Sequence, residues 1–592
     1  MNDSLTPHTK GELRIKRGQK ILDMIAHFSA TERVVFGFLT IVVIISALVM
    51  AWKVNNMFLV PIPAYGGSFT EGIVGLPRSI NPVLAFTDVD RDLSTLIYSG
   101  LMKYQDGKLV GDLAENANVS ADGLVYTFTL KNNIRFHDGT LLTTDDIEFT
   151  VQKIQDGLLK SPRRADWANV TIKKVSETEI QFILKQPYSP FLANTTIGIL
   201  PKHIWKNVDA DQFIFSTYNI EPIGSGPYRI SDVSRNSGGI PESYTLVPFS
   251  RYYDKEAYIQ KISIRFFPNE ADALDAYRAG AIESIGGISP LEAAAIASTS
   301  DEVTVVSTPL PRIFGIFFNQ NNAPVLAHKE VRQALDMAVD KERLIQDVLY
   351  GYGVAIDSPL PESIHASSTP TIDYEARKEA AKVLLSKNGW TINSEGIYEK
   401  KTKNGTEVLE FDITTTDALD LKAAAEIIRA EWEDLGARVN IKVFEYGDLS
   451  QNVIKPRKYD ALLFGEFIGK DLDLYAFWHS SQRNSPGLNV SMYVNSKADK
   501  ILEDVRTVYN AEDRKEKYAA FEKIVQDDIP AVFLYSPEYI YIVPKKLQGL
   551  AWGSITNPSD RWYGAEEWYI ATDHVWKVFA QSTPESIPQS NQ

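Results

Sequence analysis

The run Val34–Ala51 (VVFGFLTIVVIISALVMA) constrains this chain before any other feature does. As a helix rising 1.5 Å per residue it spans about 27 Å, close to the hydrocarbon thickness of a bilayer. A helix buried in a soluble core normally keeps a polar face, and this stretch has none. Arg33 precedes it and Lys53 follows it. On its N-terminal side Lys10, Arg14, Lys16, Arg17 and Lys20 stand against Asp3, Glu12, Asp23 and Glu32. Basic residues there favour keeping that flank in the cytoplasm. The stretch is longer than the apolar region of a secretory signal, and no clean A-x-A site follows it. The reading is an uncleaved transmembrane anchor over 34–52, with a basic cytoplasmic segment over 1–33; the alternative is a cleaved signal peptide, which would export the bulk of the chain equally. A Pro- and Gly-containing spacer over 53–65 then leads to the bulk of the chain, exported to the cell surface or the periplasm.

That exported part has ordinary globular composition, 44% hydrophobic and 23% charged over a chain of 592 residues, enough for several domains with cores of their own. A net charge of -15 leaves no basic footprint for nucleic acid. With no cysteine there is no disulfide, thiol nucleophile, iron–sulfur cluster or lipid-modified N-terminal Cys. The eight histidines are scattered, with no pair at i, i+4 and no H-E-x-x-H. Neither a G-x-S-x-G elbow nor a Walker A loop occurs. Gly224-Ser225-Gly226 is followed by Pro227-Tyr228-Arg229, so Arg229 stands where a dinucleotide loop needs its last glycine. No catalytic residue, metal site or cofactor is expected, and the chain does not read as an enzyme.

Local patterns alternate strands with helices. Tyr126–Leu130 alternates apolar and polar residues as a half-buried strand does. A turn at Asp138-Gly139 follows, then Thr143 caps a helix whose first turn holds Asp146. Val331, Ala334, Leu335, Ala338 and Val339 share one helical face, and Asp340 caps a second helix with Leu344, Ile345 and Val348. Tyr374–Asn388 is helical up to Asn388-Gly389. Tyr398–Ile413 reads as a hairpin around Asn404-Gly405 with Leu409, Phe411 and Ile413 on one face. A helix over Leu421–Leu435 ends at Gly436, and Val439, Ile441 and Val443 mark the next strand. The class is mixed α/β. The tail Gln581–Gln592 is polar and Pro/Ser-rich, the composition of a disordered segment.

The positive functional signal is aromatic. Phe464–Tyr493 holds Phe467, Phe477, Trp478 and Tyr493 beside Lys470, Asp471, Asp473 and Arg483. Flat apolar walls with a few charges suit a pocket that holds an amphiphilic ligand without chemistry.

Several ordered motifs over about Gly66 to Asp573 resemble the bacterial extracellular solute-binding proteins of family 5, the peptide- and nickel-binding receptors of ABC importers. They are SINP (Ser79–Pro82), LAENANVSADGLVYTFTLKNNIRFHDGTLLTTDDIEFT (Leu113–Thr150), GSGPYRI (Gly224–Ile230), VRQALDMAVDKERLI (Val331–Ile345), NVSMYVNSKADKIL (Asn489–Leu502) and DDIPAVFLYSPEY (Asp527–Tyr539). The resemblance implies a two-lobed periplasmic-binding-protein-like fold of type II. The first lobe would comprise 66–103, 222–312 and 535–580, with an inserted subdomain at 104–221. The second lobe would comprise 313–534. In that family's peptide binders an Asp in a G-W-x-x-D-Y-x-D-P-like loop pairs with the peptide ammonium. The matching stretch here is GEFIGKDLDLYAFW, which lacks that Trp and Pro. With Lys470 set on the Asp position, Asp473 takes the second acidic position; a one-residue shift makes Asp471 the ammonium anchor. Asp471, Asp473 and Lys470, with Trp478, Tyr493 and Asn81 of the SINP turn, are therefore the candidate ligand contacts. The implied partners are a peptide or similar solute and the permease subunits of an ABC transporter, served by a membrane-anchored monomer. The alternatives are the same fold holding a nickel chelate, haem or an oligosaccharide, or an anchored ligand sensor that feeds no transporter.

Overall fold

A computed structural model of the chain describes residues 24, 28–105, 107–300, 302–360, 373–403, 405–469, 472–553 and 555–577. They form two units, one of the described residues up to 64 with 572–577 and one of those from 65 to 571.

In the first unit the apolar run lies within a helix over Ala30–Phe58. This is longer than the anchor read from composition, because Ser29 and Glu32 close a capping box ahead of it. The Glu32 carboxylate accepts from the Ser29 N–H at 2.8 Å, and the Ser29 hydroxyl oxygen accepts from the Glu32 N–H at 3.4 Å. The helix is long and apolar enough to cross a membrane, and none of its residues is buried. The segment expected to be a spacer is ordered instead. The helix continues through Phe58, and Leu59–Pro63 pairs antiparallel with Thr572–Trp576, from Leu59 opposite Trp576 to Pro63 opposite Thr572. The Trp576 indole N–H donates to the Asn55 side-chain oxygen at 2.8 Å, fastening this ribbon to the last helical turn.

The second unit is a two-lobed α/β body threaded by one twelve-stranded sheet. Its organising element is the fourteen-residue strand Ala531–Pro544. The N-terminal half of that strand pairs with Arg312–Phe318 and Gly353–Ala355; the C-terminal half pairs with Ser284–Gly286 and Val303–Pro309. Beyond one end lie Ala461–Phe467, Glu410–Thr416 and Arg438–Phe444; beyond the other lie Ser68–Val74, Lys261–Phe267, Pro241–Pro248 and Tyr228–Arg235. The sheet divides at Leu310-Pro311, opposite Ser536-Pro537. There the Leu310 N–H donates to the Pro537 carbonyl at 3.0 Å, and the Ser536 hydroxyl donates to the Leu310 carbonyl at 2.5 Å. A proline in each segment removes a ladder donor, while Pro537 and Ser536 keep their pairing with Gly353 and Val354. Separate apolar cores flank this point. On one side Ile80, Leu96, Ile97, Phe136 and Trp568 belong to one cluster; on the other Leu335, Ile413, Trp432 and Leu463 form another.

The first core continues into a four-stranded antiparallel sheet of Ala114–Val119, Val125–Leu130, Glu179–Leu184 and Val170–Lys174. Val125–Leu130 buries Tyr126, Phe128 and Leu130 on alternate positions, as its period demands. The helix Thr144–Gln155 starts on the Thr143–Asp146 capping box. His137 braces this region against the GSGPYR turn: its Nε2–H donates to the Gly226 carbonyl at 3.1 Å, and its Nδ1 accepts from the Gly224 N–H at 3.3 Å. Burial pushes its pKa down to about 4, so the ring is neutral. The glycines of that turn permit close approach to a helix end. A Cβ on Gly224 would stand 2.0 Å from the Ile97 carbonyl oxygen.

In the second lobe the helix pair is Lys329–Met337 and Lys341–Leu349, the latter capped by Asp340. Tyr374–Lys387 and Leu419–Leu435 are helices, and Gly436 closes the second at φ 109°. The expected hairpin is shorter than the sequence pattern indicated. Tyr398–Thr402 pairs with Gly405–Val408, but Glu410–Thr416 leaves it to run parallel to Arg438–Phe444 in the main sheet. Phe411 and Ile413 belong to the lobe core, and burying them there outweighs continuing a two-stranded ribbon. The tail Gln581–Gln592 and nearly all of the basic N-terminal segment lie outside the described residues.

Candidate ligand-binding cleft

A cavity of about 360 Å³ opens between the lobes. One wall begins with the helix Asp88–Ile97. Thr87 and Asp90 cap it reciprocally, and the Asp90 carboxylate also accepts from the N–H groups of Arg78 and Ser79, each at 2.8 Å. Val89, Leu93, Leu96 and Ile97 hold one face in the core, while Arg91, Ser94, Thr95 and the following Tyr98 border the cavity. A second wall is the return segment from Thr556 to Glu566, where Asn557 and Asp560 form another capping box. The opposite lobe supplies Phe467 and Gly469, at the end of the strand Ala461–Phe467.

The charges in this wall are mostly engaged. Lys103 Nζ lies 2.9 Å from Glu566, 3.8 Å from Asp112 and 3.8 Å from Asp254. Burial disfavours the Lys103 charge, but these carboxylates outweigh it and hold the ammonium above its usual range. Tyr253 donates a hydrogen bond to Asp112, yet burial still pushes that carboxyl up to about 6. Arg91 is tied to Asp88 at 2.9 Å. Behind the return segment, Arg561 reaches both Asp92 and Glu71 in the interior. Four wall residues carry buried polar atoms with no protein partner: the Ser94, Tyr98 and Thr556 hydroxyls and the Trp562 indole N–H. Among the described residues, no group of three His, Asp or Glu side chains is placed to hold a metal ion.

Of the residues singled out in the sequence, Asp473, Trp478, Tyr493 and Asn81 are described, and none of these four borders the cavity. Lys470 and Asp471 lie outside the described residues. Asp473 pairs with Arg506 at 3.2 Å and accepts from the Tyr188 hydroxyl at 3.5 Å, a contact between the lobes. Trp478 is fully buried against Phe533 and Phe521. The Tyr493 hydroxyl donates to Asp528 at 2.6 Å within the second lobe. Asn81 is buried and engaged at both ends of its amide, donating to the Asn219 side chain at 3.0 Å and accepting from the Val83 N–H at 3.0 Å. Sequence reasoning passed over Tyr98, Lys103, Asp112 and the Trp562 segment. The aromatic density of Trp552, Trp562, Tyr563 and Trp568 was the visible signal for the last of these.

Residues 108–487 match the family described as bacterial extracellular solute-binding proteins, family 5 middle. The chain belongs to this family. Among the relatives of this family 5 protein, the oligopeptide-binding protein AppA of Bacillus subtilis is 27% identical over 524 residues, covering 86% of this chain and 92% of AppA. The nickel-binding periplasmic protein of Escherichia coli is 29% identical over 378 residues, 61% of this chain and 68% of that protein. The solved structure of B. subtilis AppA in complex with a nonapeptide superposes with a TM-score of 0.63 at 26% identity, covering 86% of this chain and all of AppA. The ABC transporter substrate-binding protein CtaP of Listeria monocytogenes superposes with a TM-score of 0.72 at 25% identity, covering 86% and 99% of the two chains. The two-lobed fold and the solute-binding role follow from this membership.

Proposed function

We propose that the protein is the membrane-tethered receptor of an ABC importer, capturing peptides by lobe closure and presenting them to a permease without cutting them. The observation that carries this reading is the cavity of about 360 Å³ walled by both lobes, within the ~300–1,000 Å³ of small-ligand sites. The crossing between the lobes runs through Leu310-Pro311 and Ser536-Pro537, two short segments that suit a hinge on which ligand contacts from both sides favour the closed form. The AppA complex with a nonapeptide supports peptide as the ligand class. The Ala30–Phe58 helix supports a tether, which raises the receptor's effective concentration beside a permease. The ligand contacts proposed in the GKDLD loop, Asp471 with Lys470 and Asp473, adjoin Gly469 of the cavity wall in sequence. Native mass spectrometry of the full chain in nanodiscs, followed by denaturing release, tests the reading. A ladder of intact peptide masses is expected. A single non-peptide mass would replace the ligand class, and cleavage of added peptides would refute the non-enzymatic role.

A further inference from the structure

Of the ten tryptophans in the chain, seven are fully buried and Trp552 is half-buried. The two left exposed, Trp52 at 63% and Trp576 at 50%, come from opposite ends of the sequence, yet both stand at the same end of the Ala30–Phe58 helix. Trp576 is held there through its indole N–H on Asn55, and its ring centre lies 6.5 Å from that of Phe58, itself 49% exposed. Trp52 precedes Asn55 by three residues and so shares its helix face. Lys53 and Lys577, each next to one of the tryptophans, are exposed as well.

The depth of this cluster follows from the helix. The uncharged run ends at Ala51, and Asn55 is four residues farther on, about 6 Å along the axis. The polar headgroup layer on each face of a bilayer is about 5–7 Å deep. A helix whose apolar run fills the hydrocarbon therefore places Asn55, and the strand end bonded to it, within that layer. Tryptophan suits it, having a large apolar body and one N–H donor, and lysine can extend its ammonium to lipid phosphates. Asp573 falls on the opposite face of the strand from Trp576 and three residues away.

We infer that the end of the strand Thr572–Trp576 is seated in the headgroup layer on the exported face of the membrane, with Trp576, Trp52 and Phe58 as its contacts to lipid. The partner is the lipid surface itself. The inference rests on the tether reading above and adds a second membrane contact, made by the C-terminal part of the chain.

The test reconstitutes the full chain, purified from membranes, into phosphatidylcholine vesicles with or without brominated acyl chains. Flotation of the full-length chain with the vesicles tests the tether by itself. Brominated lipid should quench one component of the tryptophan emission; Trp52→Phe should keep part of it, and adding Trp576→Phe should remove it. Phenylalanine preserves the apolar contact with Phe58 at position 576. A second reading leaves both tryptophans in place. Because the chain has no cysteine, Lys577→Cys carries a single nitroxide, which an aqueous nickel chelate should relax less than the same label on Gly238→Cys in an exposed turn. A floating chain whose Trp576 escapes brominated lipid and is quenched by aqueous acrylamide, or whose two labels relax equally, overturns the seat and leaves the tether standing. Shielding of Trp576 from both quenchers indicates a protein contact and also overturns the seat. A chain that fails to float, or is recovered without the helix, overturns both.

Discussion

Arg561→Met attacks the interior ion cluster directly behind the cleft wall. Arg561 is 2% exposed and donates to both Asp92 oxygens at 2.8 Å, to Glu71 at 3.1 Å and to the Pro558 carbonyl at 2.8 Å. Tyr541 donates to Glu71 at 2.7 Å, and Ser284 donates to the same carboxylate. The guanidinium also lies 4.7 Å from the Trp562 ring centre, so the cluster fixes a residue of the cavity wall. Two buried carboxylates then depend on one cation. Removing it deletes three charge-assisted bonds at ~1.5–3 kcal/mol each, but the net loss is limited because a stranded carboxyl can take up a proton. Breaking a buried pair from one side costs about 3–5 kcal/mol, and we expect that loss at pH 8. Burial already pushes Asp92 up to about 6 in the intact protein, with Arg561 opposing the rise. The folded state therefore binds more protons here than the unfolded chain, and stability falls as pH rises from the ordinary Asp value through about 6. Without Arg561 the rise is larger and the fall extends to higher pH, so the variant's deficit should be smaller at pH 5 than at pH 8. Urea unfolding followed by tryptophan fluorescence at both pH values measures it, and adding Asp92→Asn to Arg561→Met should recover part of the loss. A deficit below about 1 kcal/mol at pH 8, or one independent of pH, would refute the reasoning.

Two further outcomes follow from single buried groups. Glu466 is buried on the strand Ala461–Phe467 with an unpartnered carboxylate oxygen, and burial raises its pKa well above the ordinary 4.5. Its folded form favours the proton, so its contribution declines as pH rises above about 4.5; Glu466→Gln should stabilise by about 1–3 kcal/mol at pH 8 and by little near pH 4.5, read from urea midpoints across pH. Gly224→Ala drives a Cβ into the Ile97 backbone and should cost about 3 kcal/mol or more, whereas at Gly238 the added Cβ would meet only the Asn236 side-chain oxygen at 3.3 Å and Gly238→Ala should be nearly neutral by thermal melt.

Much of the fold is legible in the sequence because it is local. The Thr143 cap, the Val331 and Leu344 faces and the Gly436 stop each need only a few neighbouring residues, and the structure contains all of them. The hairpin at Asn404-Gly405 was overextended because Phe411 and Ile413 have the same alternation in a ribbon as in the main sheet; which partner they take is settled by a distant core. The cleft is harder to read for the same reason. Its wall draws on residues as far apart in the chain as Tyr98 and Trp562, and whether a polar group is free depends on partners that sequence spacing does not show. Asn81 illustrates this: in the sequence it is an available amide, and in the fold Asn219 and Val83 engage it at both ends.

The ribbon of Leu59–Pro63 with Thr572–Trp576 has a topological consequence. The chain leaves that ribbon at Pro63 and re-enters it at Thr572, and these two residues face each other across the pair, about 5 Å apart. Everything between is a loop closed at its neck, so the ribbon is a socket with adjacent inlet and outlet. A different binding body whose own termini lie side by side could be spliced between those two residues without altering either strand's register. Such grafts would give the same apolar helix new cargo.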